Sequence, residues 1–164
     1  MGASVHHVDR GGEATYHGPG QVVAYPIVDI RPLGGPLKFV RALEQVMIRT
    51  LADYGIGAEV KAGWTGVWVG EEKIGAIGLK VSRGVASHGL SLNVNPDLSY
   101  YRHVIPCGMP DISVTSMEWL LGLAVDVDAV GYTLQYHFGR LTGLKMVEVE
   151  VASAKYRRTT VGLS

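Results

Sequence analysis

The chain of 164 residues contains one cysteine, Cys107. A single thiol excludes an internal disulfide and points to a reducing compartment, the cytoplasm. Neither sign of charge prevails: Lys+Arg and Asp+Glu are 15 each, a formal net charge of +0. No global field therefore draws the chain to nucleic acid or a membrane surface, and only a local basic patch is left open. No apolar run is long enough to span a bilayer. The opening Met1-Gly2-Ala3-Ser4-Val5-His6-His7 lacks the basic and apolar regions of a signal peptide. His6 stands where a myristoylation motif needs Ser or Thr. No spacing of His, Cys and carboxylates suggests a metal site, and no internal repeat or low-complexity linker is present. A chain that is 47% hydrophobic and 18% charged is expected to fold, as one domain over residues 1–164 with a sizeable core.

Glycine is what the sequence has in excess: 22 of 164 residues, about twice the usual share of roughly 7%. The glycines gather in short segments between patterned stretches. Residues 21–30 read as a strand, with Pro26 marking an edge or a bulge. Gly34-Gly35-Pro36 is a turn into a helix, with Val40, Leu43, Met47, Leu51 and Tyr54 inward and an end at Gly55. Residues 67–69, 73–82 and 86–94 read as three strands joined by short turns, the first at Gly70-Glu71-Glu72. Short connections imply an antiparallel meander, since parallel strands need a longer crossover. Thr115-Ser116-Met117-Glu118 fits a capping box opening a short helix. Residues 126–141 read as a second long helix, with Val127, Val130, Leu134 and Leu141 inward. Val147, Val149 and Val151 alternate with glutamates, as in a half-exposed strand. The expected class is α+β: a mainly antiparallel sheet with helices packed on one face.

Four segments have residues suited to chemistry. In Arg10-Gly11-Gly12-Glu13-Ala14-Thr15-Tyr16-His17-Gly18-Pro19-Gly20, paired glycines let the backbone approach a ligand, although a plain glycine-rich turn has the same composition. It is not a phosphate-binding Walker loop, for no Gly-Lys-Ser/Thr follows. In Lys73-Ile74-Gly75-Ala76-Ile77-Gly78-Leu79, strand glycines suggest close approach of a ligand or another backbone. Alternation puts Lys73 on the face of Gly75 and Ile77, and a solvated lysine is the ordinary alternative. In His88-Gly89-Leu90-Ser91-Leu92-Asn93-Val94-Asn95, both asparagines project to one face and suit hydrogen bonding at the core or its rim. The fourth segment is the turn Ile105-Pro106-Cys107-Gly108. A lone Cys is commonly a small buried hydrophobe. As a nucleophile it must be a thiolate, which needs a nearby cation or base: Lys73, His17 or His88.

Together, in this order and spacing over residues 8 to about 122, these segments resemble the lipoyl(octanoyl) transferases of the LipB type. The match also takes in Gln21, Gly66-Val67-Trp68-Val69, and Val114-Thr115-Ser116. Beyond residue 122 no family motif is found. The resemblance implies the fold of the biotin and lipoate protein ligases. It implies transfer of an octanoyl group from acyl carrier protein to a lysine of lipoyl domains, on 2-oxoacid dehydrogenases and the glycine cleavage H protein. Cys107 would be the acyl-thioester nucleophile and Lys73 the residue that lowers its pKa. Arg10, Gly11, Gly12, Glu13, Ala14, Thr15, Tyr16 and His17, with Ala76-Ile77-Gly78 and Gly89-Leu90-Ser91, would line the substrate site. No cofactor is implied; the donor substrate is octanoyl-acyl carrier protein. Members usually carry several tens of residues before the Arg-Gly-Gly motif, so the chain is expected to lack that N-terminal segment.

The residue types suit this chemistry. Thioester exchange onto Cys107 is nearly balanced in energy, and the amide formed afterwards is downhill, so no nucleotide is required. Glycines 75 and 78 are expected to leave room for an acyl chain against Ile77 and Leu90, with backbone N–H groups near Gly78 holding the oxyanion. Two other readings share parts of the pattern. An ATP-dependent lipoate ligase activates its acid as an adenylate and needs no cysteine, so Pro106-Cys107-Gly108 separates the two. A truncated, inactive chain would only bind carrier or lipoyl domains.

Overall fold

The computed structural model of the chain describes residues 4–12, 14–103 and 112–147. Strands β1 (Gln21–Ala24) and β2 (Val28–Asp29) are followed by helix α1 (Pro36–Asp53). The hairpin strands β3 (Val67–Val69), β4 (Glu72–Ser82) and β5 (Val85–Asn93) come next, then a 3-10 helix (Leu98–His103), α2 (Met117–Leu121) and α3 (Val127–Thr142). The sheet order is β1-β5-β4-β3, and β2 also pairs with β5, all antiparallel. The expected meander is thus present. The expected strand over 21–30 divides at Tyr25-Pro26-Ile27, where proline has no N–H for the ladder.

Helix α1 starts where Pro36 follows the N-cap Gly35, whose φ of 85° only glycine adopts freely. Leu43, Met47 and Leu51 are buried as the spacing predicts, together with Phe39 and Val46. Val40 and Tyr54 are only half-buried, so the apolar stripe centres a residue away from the expected one. One charged residue, Glu44, is fully buried on this face. Helix α3 is capped by Asp126, whose carboxylate accepts from the N–H groups of Asp128 and Ala129. It buries Val130, Leu134 and Phe138, while Val127 and Leu141 are half-buried. The two helices pack through an edge-to-face contact of Phe39 and Phe138, with ring centroids 6.4 Å apart.

The N-cap falls one residue later than expected, and Trp119 stands where a capping box needs Glu or Gln. Ser116 is the N-cap of α2, and its hydroxyl accepts from the Trp119 N–H at 3.2 Å. Thr115 is held away from the helix because its N–H donates to the Lys73 carbonyl at 3.0 Å. Val114 forms a parallel bridge with Lys73, which keeps the chain extended there. Val147 is exposed and in no strand, and the rest of the strand expected over 147–151 lies outside the described residues.

Candidate active site

Strand alternation divides the sheet into two unlike faces. Val22, Leu92 and Gly75 are in one row and Ala24, Leu90 and Ile77 in the next. This face meets the helices: a Cβ at Gly75 would stand 2.6 Å from Met47 Sδ. The other face has Gln21 beside Asn93, Val23 beside Ser91 and Ala76, and Gly78 beside Gly89. Apart from Val23, these residues are small or polar. A Cβ at Gly78 would stand 2.7 Å from Arg10 Cδ and 3.0 Å from the Gly11 carbonyl. Gly75 and Gly78 therefore open to opposite faces. The expected acyl space framed by both glycines with Ile77 and Leu90 is not formed, because Ile77 and Leu90 pack with the core on the helix face.

The glycine-rich segment is laid along β4 and across its polar face. Gly11 N–H donates to the Leu79 carbonyl at 2.8 Å, extending the ladder where β3 has ended. Asp9 fastens this segment: one carboxylate oxygen takes Lys80 Nζ and the other lies 3.0 Å from His88 Nε2. These hydrogen bonds, that to Lys80 first and that to His88 second, lower the Asp9 pKa to about 2. A group with a depressed folded pKa stabilises above its unfolded value and stops doing so as pH falls through the folded one. The fastening is expected to hold at neutral pH and be lost progressively from about 4 to about 2. Asp9→Asn should bring faster hydrogen exchange at Gly11 N–H already at neutral pH, read by amide exchange; unchanged protection would contradict the role.

A buried polar hub joins the segments on this face. Gln21 Nε2 donates to Asn93 Oδ1 at 2.8 Å and to Tyr101 Oη at 2.9 Å. Tyr101 donates in turn to Asn93 Oδ1 at 3.1 Å, and Asn93 Nδ2 donates to the Thr115 carbonyl at 3.0 Å. Gln21 Oε1 accepts from Gly18 N–H at 3.3 Å and lies 3.2 Å from His17 Nδ1. Burial raises the Tyr101 phenol pKa, which keeps it a neutral donor. Tyr16 stacks on Tyr100, with centroids 5.0 Å apart, and meets Tyr101 edge-on at 5.5 Å. Asn95, beyond the strand, instead holds the entry to α3 through Val125 N–H and C=O. Asn93→Ala leaves the Tyr101 hydroxyl without its acceptor and the Gln21 amide with Tyr101 Oη alone. It should cost about 1–3 kcal/mol in urea unfolding, and a loss within error would show the hub to be dispensable.

Lys73 is 9% exposed, with Nζ 5.5 Å from the centre of the Trp68 ring. Its backbone is what meets the segment following the cysteine. Lys73 N–H donates to the Ser113 carbonyl at 2.9 Å, and its carbonyl accepts from Thr115. Trp68 Nε1 and Thr115 Oγ1 beside it are buried without a hydrogen-bond partner among the described residues. Cys107 and Glu13 lie outside the described residues. Ala76, Gly78, Gly89 and Ser91 share the polar face, and Arg10, Gly11 and the ring of Tyr16 border it. Gly12, Ala14 and Thr15 lie along the same segment, and His17 joins the hub through Gln21. Gln21, Tyr101 and Glu44 had no role assigned from sequence. Gln21 had a usable signal, since it closes the glycine motif; Tyr101 and Glu44 had none. Among the described residues no three His, Cys, Asp or Glu side chains converge for a metal ion, and no helix is long and apolar enough to cross a membrane.

The lipoyl protein ligase A/B catalytic domain model matches residues 1–139, ending within α3. The chain belongs to this family. It is 51% identical over 140 residues to an octanoyltransferase of Solibacter usitatus, covering 85% of this chain and 63% of that protein. It is 45% identical over 149 residues to an octanoyltransferase of Alkaliphilus metalliredigens, covering 90% and 68%. A mitochondrial octanoyltransferase of Arabidopsis thaliana is 48% identical over 122 residues, covering 72% and 51%. The chain thus spans about three fifths of the length of the first curated relatives it matches. Among solved structures, lipoate-protein ligase A bound with ATP aligns with a TM-score of 0.65 at 18% identity, over 85% of this chain and 59% of that one. Biotin protein ligase from Aquifex aeolicus aligns with a TM-score of 0.62 at 16% identity, over 76% and 53%. At such identities these likenesses concern the fold, which is that of the lipoyl protein ligase A/B and biotin protein ligase catalytic domains.

Proposed function

We propose that the protein transfers an octanoyl group from acyl carrier protein to a lysine of lipoyl domains, those of 2-oxoacid dehydrogenases and of the glycine cleavage H protein, through a thioester on Cys107. One observation carries the reading beyond kinship. Lys73 forms backbone hydrogen bonds to Ser113 and Thr115. Ser113 is only six residues after Cys107, so the chain carrying the thiol returns to the sheet at Lys73. The two histidines that could otherwise activate the thiol have other partners: His17 contacts Gln21 and His88 contacts Asp9.

In the first step the Cys107 thiolate attacks the carbonyl carbon of the donor thioester. A new C–S bond forms, the old one breaks, and the carrier's thiolate leaves with the proton given up by the Lys73 ammonium, which becomes the neutral amine. The Lys73 ammonium stabilises the attacking thiolate. In the second step the acceptor's amine attacks the Cys107 thioester, its proton passes to a base, and the Cys107 thiolate leaves as the amide forms. Lys73, left neutral by the first step, is that base. Two steps let one protein partner depart before the next docks. Thiolate chemistry of this kind suits the cytoplasm, where thiols stay reduced.

The test is to mix the protein with octanoyl-acyl carrier protein without ATP and weigh it by intact mass spectrometry. A hydroxylamine-labile octanoyl adduct, passed on to added lipoyl domain, is the expected result. No adduct on folded protein would overturn the reading, and transfer that needs ATP would favour a ligase.

A further inference from the structure

We propose that Glu44 and Gly66 are positioning residues for Lys73, which rests on the reading of Lys73 as the activator of Cys107. Glu44 is at 0% exposure in the middle of α1, on its apolar face. A carboxylate there must be satisfied. Among the described residues it has two partners: Oε2 accepts from Arg41 Nη1 at 2.5 Å and Oε1 accepts from the backbone N–H of Gly66 at 3.1 Å. Arg41 is half-exposed and reaches in from the next turn of the helix. The contact with Gly66 is the tertiary one, since it joins α1 to the residue that leads into β3.

Gly66 in turn is in contact with the end of the Lys73 side chain. Its φ is 121°, a conformation that favours glycine, and its backbone is buried. A Cβ at this position would stand 2.5 Å from the Gly75 carbonyl, 2.7 Å from Lys73 Cε and 3.3 Å from Lys73 Nζ. Lys73 therefore lies across a backbone with no side chain, and any side chain there would displace its ammonium. The Trp68 ring bounds the same ammonium, at 5.5 Å. Glu44 fixes the height of the Gly66 backbone against α1, and that backbone sets where Lys73 Nζ ends. The sheet alone does not impose this position, because the β3–β4 register shifts between Val67 and Trp68, just beyond Gly66.

Four single variants test this: Gly66→Ala, Glu44→Leu, Glu44→Gln and Lys73→Ala. The first two are also combined with Lys73→Ala. The readouts are the rate of Cys107 alkylation by iodoacetamide at neutral pH and the octanoyl adduct rate, with urea unfolding to confirm folding. Gly66→Ala and Glu44→Leu are each expected to slow alkylation roughly tenfold, the loss of thiolate fraction for a thiol pKa moved by about one pH unit. Glu44→Gln, which keeps an acceptor for Gly66 N–H, should recover most of the loss. In the Lys73→Ala background neither Gly66→Ala nor Glu44→Leu should slow alkylation further, as expected for residues acting through one group. Undiminished effects in that background would mean that they act on the fold, and would overturn the inference. So would an unchanged rate in folded Gly66→Ala. If Gly66→Ala does not fold, the Glu44→Leu and Glu44→Gln pair decides. If Lys73→Ala alone leaves alkylation unchanged, the role of Lys73 fails and the inference falls with it. A slow Lys73→Ala beside an unaffected Gly66→Ala sinks the inference only.

Discussion

Octanoyl transfer by Cys107→Ser is expected to fall by at least about 10³-fold, the scale seen when a covalent nucleophile is removed. A thiol is partly ionised near neutral pH and can be pushed further by a cation, whereas a serine hydroxyl stays protonated without a dedicated base. The serine is close in size, so the loss would belong to the chemistry. Single-turnover assays with octanoyl-acyl carrier protein, followed by mass, give the check. The parent should gain a hydroxylamine-labile octanoyl group, and the variant should show none. Transfer at more than a tenth of the parent rate would remove Cys107 from the reaction path.

Lys73→Ala should cost about 10²–10⁴-fold in overall transfer, the usual contribution of a positioned acid–base group. Lys73→Arg divides the two roles proposed for this side chain. Guanidinium keeps the positive charge beside the thiolate but does not release its proton at accessible pH. The arginine variant should therefore form the Cys107 adduct faster than the alanine variant, yet be as slow in passing the octanoyl group to the acceptor amine. Equal rates for the two variants in both steps would mean that Lys73 supports the site by packing alone. The test is informative because Lys73 is buried to 9% exposure beneath Trp68, so the larger guanidinium must be accommodated. Urea unfolding of both variants guards against that confusion.

Local structure was readable where one physical rule acts alone. Pro36 after two glycines opens α1, and Leu43, Met47 and Leu51 at helical spacing bury as expected. The short turn at Gly70 obliges β3 and β4 to be antiparallel. The cap of α2 departs from the local pattern because a distant segment competes for the same backbone. Thr115 has the side chain of an N-cap, but Lys73 takes its N–H, and the cap passes to Ser116. Gly75 and Gly78 belong to one glycine motif. A spacing of three in a strand puts them on opposite faces, one against Met47 and the other beneath Arg10.

By its own pattern the sequence determined the order of the elements, the antiparallel class and the segments that face chemistry, because these follow from spacing and local backbone preference. It held no sign that Glu44 would be buried or that Tyr101 would join Gln21 and Asn93. Those outcomes depend on partners 22 and 80 residues away from Glu44 and Gln21. Only the tertiary structure decided that the segment following the single cysteine would pair with Lys73, since a hydrogen bond between distant strands leaves no periodic trace in either one.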